Sequence, residues 1–233
     1  MSSVLVTGAG RGFGWELASL YVKRGWTVFP LVRTAESVAQ WTESGAGGCH
    51  PILADVAEAS VETAIGEVLG ARTTSLDLLV NNAGVIRKRR WLPETTVDDV
   101  EEAFRVHCVG AFRCTRAVLP FLKRGRNPTV VNISSRFGSI AGATGGAFRG
   151  IYSYSIAKCA QNMLTACLDQ ELRQAGIRVL AVHPGQLRTT VAAADADTEP
   201  HVAAEKLADW LDSVGRDVEC GLHDLMTGGV LPW

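Results

Sequence analysis

Six short runs of nearly continuous Val, Ile and Leu set the limits on what this chain can fold into. They are "VLV" (4–6), "TVFPLV" (27–32), "HPILA" (50–54), "LDLLVNN" (76–82), "PTVVNIS" (128–134) and "RVLAVHP" (178–184). A strand with one wet face alternates apolar and polar residues, whereas a strand covered on both faces need not. Between the runs lie stretches with helical spacing. In 14–24, Leu17, Leu20 and Tyr21 share one face at i, i+3 and i+4, and Gly25 is the stop. Two longer helices are predicted at about 97–123 and 152–174, the second ending at Gly176, with a further helix beginning near Val202. Strands that alternate with helices imply right-handed crossovers and a doubly wound parallel α/β sheet with helices on both faces. No repeat, linker or low-complexity tract interrupts the pattern, so 1–233 reads as a single domain.

Charge and cysteine usage exclude several function classes. Lys plus Arg (23) nearly equals Asp plus Glu (24), which leaves no overall field to hold a nucleic acid. The cysteines at 49, 108, 114, 159, 167 and 220 form no C-x-x-C pair and no cluster with histidine. Neither a metal site nor a disulfide framework is expected, only small core filler in a reducing compartment. No apolar stretch approaches membrane-spanning length, and only Met1 to Ser3 precede the first apolar run. The expectation is a cytoplasmic protein with no membrane contact.

The first run leads straight into "VLVTGAGRGFG", with glycines at 8, 10, 12 and 14, and then into a helix. Gly8 permits a tight turn, Gly12 lets the backbone approach a pyrophosphate, and Gly14 lets the helix pack on the strand. The helix N-terminus offers free N–H donors and partial positive charge to the phosphates. Alone, such a loop could be an ordinary strand–helix turn. After the first strand of an alternating chain it reads as a dinucleotide site.

The loop spacing T-G-x-x-x-G-x-G is joined by "NNAG" (81–84), Y-x-x-x-K (154–158) and "HPG" (183–185). In this order, along nearly the whole chain, the motifs resemble the short-chain dehydrogenase/reductase family in its shorter branch. The insert "FGSIAGATGGAFRGI" and the terminus "GGVLPW" are similar to those of C-factor or sniffer-type carbonyl reductases. The resemblance implies a Rossmann fold and a nicotinamide-dependent oxidoreductase acting on a small carbonyl or alcohol. It implies cofactor contacts from Thr7, Gly8, Gly10, Arg11, Gly12, Phe13 and Gly14, and from Asp55 and Val56 near the adenine. Asn82, Ala83, Gly84, Pro184, Gly185 and Thr189 complete that set. It also implies a homodimer or homotetramer, with the long helices pairing across a two-fold axis. The second strand ends in "LVRT", with Arg33 and no acidic residue for a ribose 2′-hydroxyl, and Arg11 lies in the glycine loop. Two cations suited to a 2′-phosphate point to NADP(H) rather than NAD(H).

"YSYSIAK" (152–158) contains two tyrosines and one lysine. On a helix Tyr154 and Lys158 stack at i and i+4, whereas Tyr152, roughly 240° around, points elsewhere. Tyr154 is therefore the acid/base candidate, and Tyr152 packs or shapes the substrate mouth. A phenol of pKa about 10 shuttles protons poorly at neutral pH, and a neighbouring cation lowers it. In the family the lysine also binds the nicotinamide ribose. Ser135 is the family-matched serine that would hold the carbonyl oxygen. Its neighbour Ser134 has the opposite strand polarity, and periodicity alone does not choose between them.

His107 stands in "FRVHCVGAF" where the family has the asparagine of its catalytic tetrad. It could break the proton relay, rebuild it with a group that titrates near neutral pH, or be structural. Arg87, Lys88, Arg89 and Arg90, together with Arg136, Arg149 and Arg188, come from four separated stretches that the fold would bring to one rim. A carboxylate- or phosphate-bearing carbonyl substrate is the corresponding expectation. The alternatives are a non-catalytic dinucleotide-binding regulator and an enzyme running as an alcohol dehydrogenase.

Overall fold

The computed structural model describes residues 2–43, 47–87, 90–189, 196–215 and 218–233. All six apolar runs contain strands: β1 (Ser3–Thr7), β2 (Thr27–Val32), β3 (Ile52–Leu53), β4 (Leu78–Asn81), β5 (Thr129–Ile133) and β6 (Arg178–His183). Two more, β7 (Leu222–Asp224) and β8 (Val230–Leu231), are too short to show as apolar runs. One sheet results, in the order β3-β2-β1-β4-β5-β6-β7-β8. It is parallel as far as β7, and β8 closes the edge antiparallel to β7. Strand order reverses direction between β1 and β4, the position at which doubly wound sheets open a ligand crevice.

Side-chain alternation along each strand feeds two cores. Val4, Val6, Val28, Val80, Val131 and Val182 face α1 (Gly12–Lys23), α2 (Ala35–Glu43) and α8 (Pro200–Ser213). Leu5, Phe29, Leu79, Val130 and Val179 face α3 (Val61–Arg72), α5 (Gly110–Leu122) and α7 (Tyr152–Leu172). Both faces are thus dry, which is why the strands lack an alternating polar pattern. The predicted stops are real: Gly25 and Gly176 both adopt left-handed backbone, with φ of 76° and 74°. The last helix starts at Pro200, where a missing N–H costs nothing.

The stretch expected as one helix over 97–123 is not continuous. It comprises α4 (Val97–Phe104), a π-helical turn (Arg105–Val109) and α5. The Gly110 N–H reaches the Arg105 carbonyl, five residues back, and the extra residue drives Val106 and His107 inward. A short α6 (Ile140–Thr144) occupies the insert before α7. Among the described residues no helix is long and apolar enough to cross a membrane.

Candidate active site

The glycine loop folds as its spacing requires. Gly8 and Gly12 have φ of 66° and 56°. A Cβ on Gly14 would land on the Asn82 side-chain nitrogen and within 2.5 Å of the Gly8 carbonyl oxygen, so α1 can approach β1 only with glycine there. No side chain caps the first turn of α1, which leaves its N–H groups to a ligand. Phe13 is buried beneath the loop, and Thr189 lies 3.5 Å from where a Cβ on Gly12 would be. Gly10 packs on Ser37, whose hydroxyl would stand 2.8 Å from an added Cβ.

The "NNAG" run is tied to that loop by one side chain. Thr7 Oγ1 accepts from the main-chain N–H groups of Asn82 (3.0 Å) and Ala83 (2.9 Å). Asn82 in turn donates to the Thr7 carbonyl at 2.9 Å. Asp55 accepts from the Ala57 N–H at 2.9 Å, and Arg33 stands 4.0 Å from it with most of its side chain in solvent. Val56 packs against Gly110 at the start of α5. Pro184 and Gly185 end β6, Gly185 with a φ of 93° and Met226 pressed against it. These residues lie past the C-terminal ends of β1, β2, β3, β4 and β6, and they fit a dinucleotide: a loop closed to any Cβ at Gly8 and Gly14, an uncapped helix start, and exposed Arg11 and Arg33 beside it.

The two serines of "ISS" part company at the end of β5. Ser134 projects to the α7 side, like Asn132 two residues before it, and donates to Asn162 at 2.5 Å. Ser135 lies past the strand end, at the start of a 3₁₀ turn, where its hydroxyl accepts from the Phe137 N–H at 3.3 Å. It also lies near enough to the Tyr154 phenol to lower the phenol's pKa. Tyr154 is half-buried, flanked by Phe137 at 6.3 Å and by His107 at 5.4 Å between ring centroids. Tyr152 is 40% exposed and lies at the mouth, as its helix angle requires.

Lys158 is buried at 3% exposure. Its ammonium donates to the Ile133 carbonyl (2.5 Å) and to Gln161 Oε1 (2.9 Å), and stands 5.7 Å from the centre of the Tyr154 ring. Burial pulls its pKa down to about 7. Burial raises the Tyr154 pKa, and the neighbouring Ser135 hydroxyl opposes that rise.

His107 is 2% exposed in the π-helical turn, and its Nε2 lies 2.8 Å from the Val85 carbonyl oxygen and 3.2 Å from the Val85 main-chain nitrogen. Its Nδ1 is buried with no protein partner. A Cβ on Gly84 would stand 2.6 Å from the ring, so the last glycine of "NNAG" makes room for this imidazole. Burial, and secondarily the charge of Lys158, push its pKa well below the usual histidine range. Of the readings left open for His107, that direction favours a ring that does not titrate near neutral pH.

The cationic rim is partly spent within the protein. Arg87 pairs with Glu102 at 2.6 Å and Arg188 with Glu199 at 3.0 Å. Arg90 lies over Trp91, Arg136 over Phe137, and Arg149 is exposed beside Phe148 in sequence. Lys88 and Arg89 lie outside the described residues. Phe137 and Phe148 stack at 4.6 Å and line the approach to Tyr154. The front of the mouth is strained: Ile151 precedes α7 with left-handed backbone (φ 56°, ψ 50°), and its N–H donates to the Arg90 carbonyl at 2.7 Å. Behind Gly185, the chain is pinned by pairing of Arg188 with Thr198, and residues 190–195 lie outside the described residues.

Sequence reasoning missed Gln161 and the polar chain behind it. Asn81 donates to Asn132 (2.8 Å), Asn132 to Thr165 (2.9 Å), and Thr165 to the Gln161 carbonyl (2.9 Å). The signal was present: asparagines at 81 and 132 interrupt two otherwise apolar strands, and register places them opposite each other.

Comparison with known proteins agrees with this geometry. Residues 2–200 match the short chain dehydrogenase family, and the chain belongs to it. It is thus a short-chain dehydrogenase/reductase enzyme with a doubly wound Rossmann sheet. The C-signal protein of Myxococcus xanthus is 35% identical over 161 residues, covering 69% of this chain and 95% of the relative. The NADPH-bound carbonyl reductase from chicken fatty liver superposes with a TM-score of 0.90 at 25% identity, covering 100% of this chain and 99% of that one. The carbonyl reductase Sniffer of Drosophila melanogaster has the same fold, with a TM-score of 0.90 at 23% identity over the full length of both chains.

Proposed function

We propose that this protein is an NADP(H)-dependent reductase of small ketones, aldehydes or quinone-like carbonyls. The observation that carries the reading is Tyr154 one helical turn from buried Lys158, its ring centre 5.7 Å from the ammonium, with Ser135 beside the phenol, past the ends of the strands that carry the glycine loop. When bound there, the nicotinamide supplies hydride to the carbonyl carbon. The chain's own residues do the rest. The Ser135 hydroxyl and the Tyr154 phenol hold the carbonyl oxygen where negative charge develops. Tyr154 then gives its proton to that oxygen. Burial keeps the phenol protonated, as a proton donor needs to be. Lys158 stands behind the phenol as a cation that eases loss of the proton. His107 is a positioning residue: its bond to Val85 and its edge against Tyr154 fix the ring.

Arg11 and Arg33 support a 2′-phosphate and hence NADP(H) over NAD(H). The chicken enzyme's bound NADPH is consistent with this choice. The mouth is aromatic, and Arg136 beside Phe137 would meet an anionic group on the substrate. The proposal includes a cytoplasmic homodimer or homotetramer working as one Rossmann domain. The test is NADPH consumption across a panel of ketones, aldehydes and quinones. Binding of NADPH without turnover of any of them would make the chain a dinucleotide-binding regulator instead.

A further inference from the structure

We propose that Gln161 is a positioning residue that holds the Lys158 ammonium at the head of β5 and sets how readily it keeps its proton. The inference rests on the catalytic reading of Lys158 given above.

Gln161 lies one turn beyond Lys158 on α7 and is 1% exposed. Its Oε1 accepts from Lys158 Nζ at 2.9 Å, and the Ile133 carbonyl accepts at 2.5 Å. An ammonium has three N–H donors, so these two acceptors leave one for a ligand hydroxyl. Among the described residues no carboxylate lies within ion-pair distance of Lys158. The titratable groups facing it are Tyr154 on its own helix and His107 from the π-helical turn. A phenol and a neutral imidazole offer it no countercharge. Two neutral carbonyls are therefore what solvates a buried cation here. That is enough to hold the charge, but not as firmly as an ion pair would. The pull of burial toward a pKa of about 7 is consistent with this poise. Gln161 is itself braced, because its main-chain carbonyl accepts from Thr165, which Asn132 also contacts from within the sheet.

Two variants of nearly the same volume make opposite predictions. Gln161→Leu removes an acceptor and disfavours the charged lysine. Gln161→Glu places a carboxylate at the same point and favours it. Lys158 can be followed in the cofactor-free protein through the pH dependence of its ¹³Cε chemical shift. The midpoint should fall by about one pH unit in Gln161→Leu and rise by about one unit in Gln161→Glu, each a tenfold change in proton affinity. With NADPH and a turned-over carbonyl, the alkaline limb of kcat should move the same way in each variant. Midpoints that stay at the wild-type value, or that move together, overturn the inference. If Gln161→Leu does not fold, the Gln161→Glu midpoint decides alone. A wild-type protein that consumes no NADPH with any carbonyl defeats the catalytic reading, while the chemical-shift midpoints still decide the role of Gln161.

Discussion

The His107 imidazole meets the Tyr154 ring edge-on, with centroids 5.4 Å apart and planes at 81°. The imidazole is buried, and burial, with the Lys158 charge behind it, pushes its pKa well below the usual histidine range. The sign of the stability effect follows. In the unfolded chain the imidazole takes a proton below about pH 6.5, whereas in the folded protein it does not. Below that pH the unfolded state binds more protons, so stability falls as pH drops. One such group contributes a slope of at most about 1.4 kcal/mol per pH unit. His107→Asn should make the fall between pH 6.5 and 5 shallower by nearly one proton, as read from urea unfolding at several pH values. Parallel slopes would show that the ring is not the group responsible; His50, His183 and His223, also pushed down, would then account for the acid limb.

Tyr154→Phe deletes the proton donor and keeps the ring. Its kcat should fall by about 10²–10⁴-fold with NADPH affinity within a factor of about two. Lys158→Met should lose both turnover and cofactor affinity. Tyr152→Phe, at an exposed position, should change neither. A larger loss at Tyr152 than at Tyr154 in steady-state kinetics and cofactor titration would assign the chemistry to the wrong tyrosine.

Cofactor choice is expected to rest on Arg33 and Arg11. Each substitution to alanine removes a charge-assisted contact to a 2′-phosphate, about 1.5–3 kcal/mol, or roughly ten- to a hundredfold in NADPH affinity. NADH affinity should be nearly unchanged. Calorimetric titration of both cofactors checks this, and equal losses for the two would count against it.

The aromatic mouth with Arg136 at its edge makes a prediction about salt. A carboxylated ketone should have a higher kcat/KM than its neutral analogue at low ionic strength. That advantage should shrink near 0.1 M salt, where screening acts over about 10 Å. Arg136→Ala should reduce it, and Arg87→Ala should not, because Glu102 already neutralises Arg87. An advantage indifferent to both salt and Arg136 removes the anionic part of the proposal.

The outer faces of α5 and α7 leave Phe112 (43%), Ile156 (47%) and Met163 (65%) exposed. A second copy of the chain is the proposed cover. Light scattering should give a dimer or tetramer, and Ile156→Glu with Met163→Glu should shift it to monomer. A wild-type monomer at micromolar concentration would exclude this assembly.

The sheet was legible because dry strands cannot hide: each needs a continuous apolar run, and Val, Ile and Leu supplied six. The glycine loop was legible because its backbone approach admits no Cβ at Gly8 or Gly14. The π-helical turn was not, since its residues carry ordinary helical spacing and only the buried His107 betrays the extra residue. The protonation states were also out of reach. Sequence places Lys158 beside Tyr154, but it does not say that Ile133 and Gln161, rather than the phenol, take the ammonium's hydrogen bonds. Nor could the rim be judged from a count of arginines, because Glu102 and Glu199 neutralise two of them.

Ile151 gives the substrate mouth one stiff jamb. A β-branched residue takes left-handed backbone only where its surroundings hold it there. Here the Arg90 carbonyl takes its N–H, and a Cβ on the preceding Gly150 would stand 2.5 Å from that same oxygen. The loop that follows "NNAG" and the first turn of α7 are therefore fastened together, and Tyr154 rides on the fastened part. Any widening on this side would have to break the bond between Ile151 and Arg90, and so shift the first turn of α7.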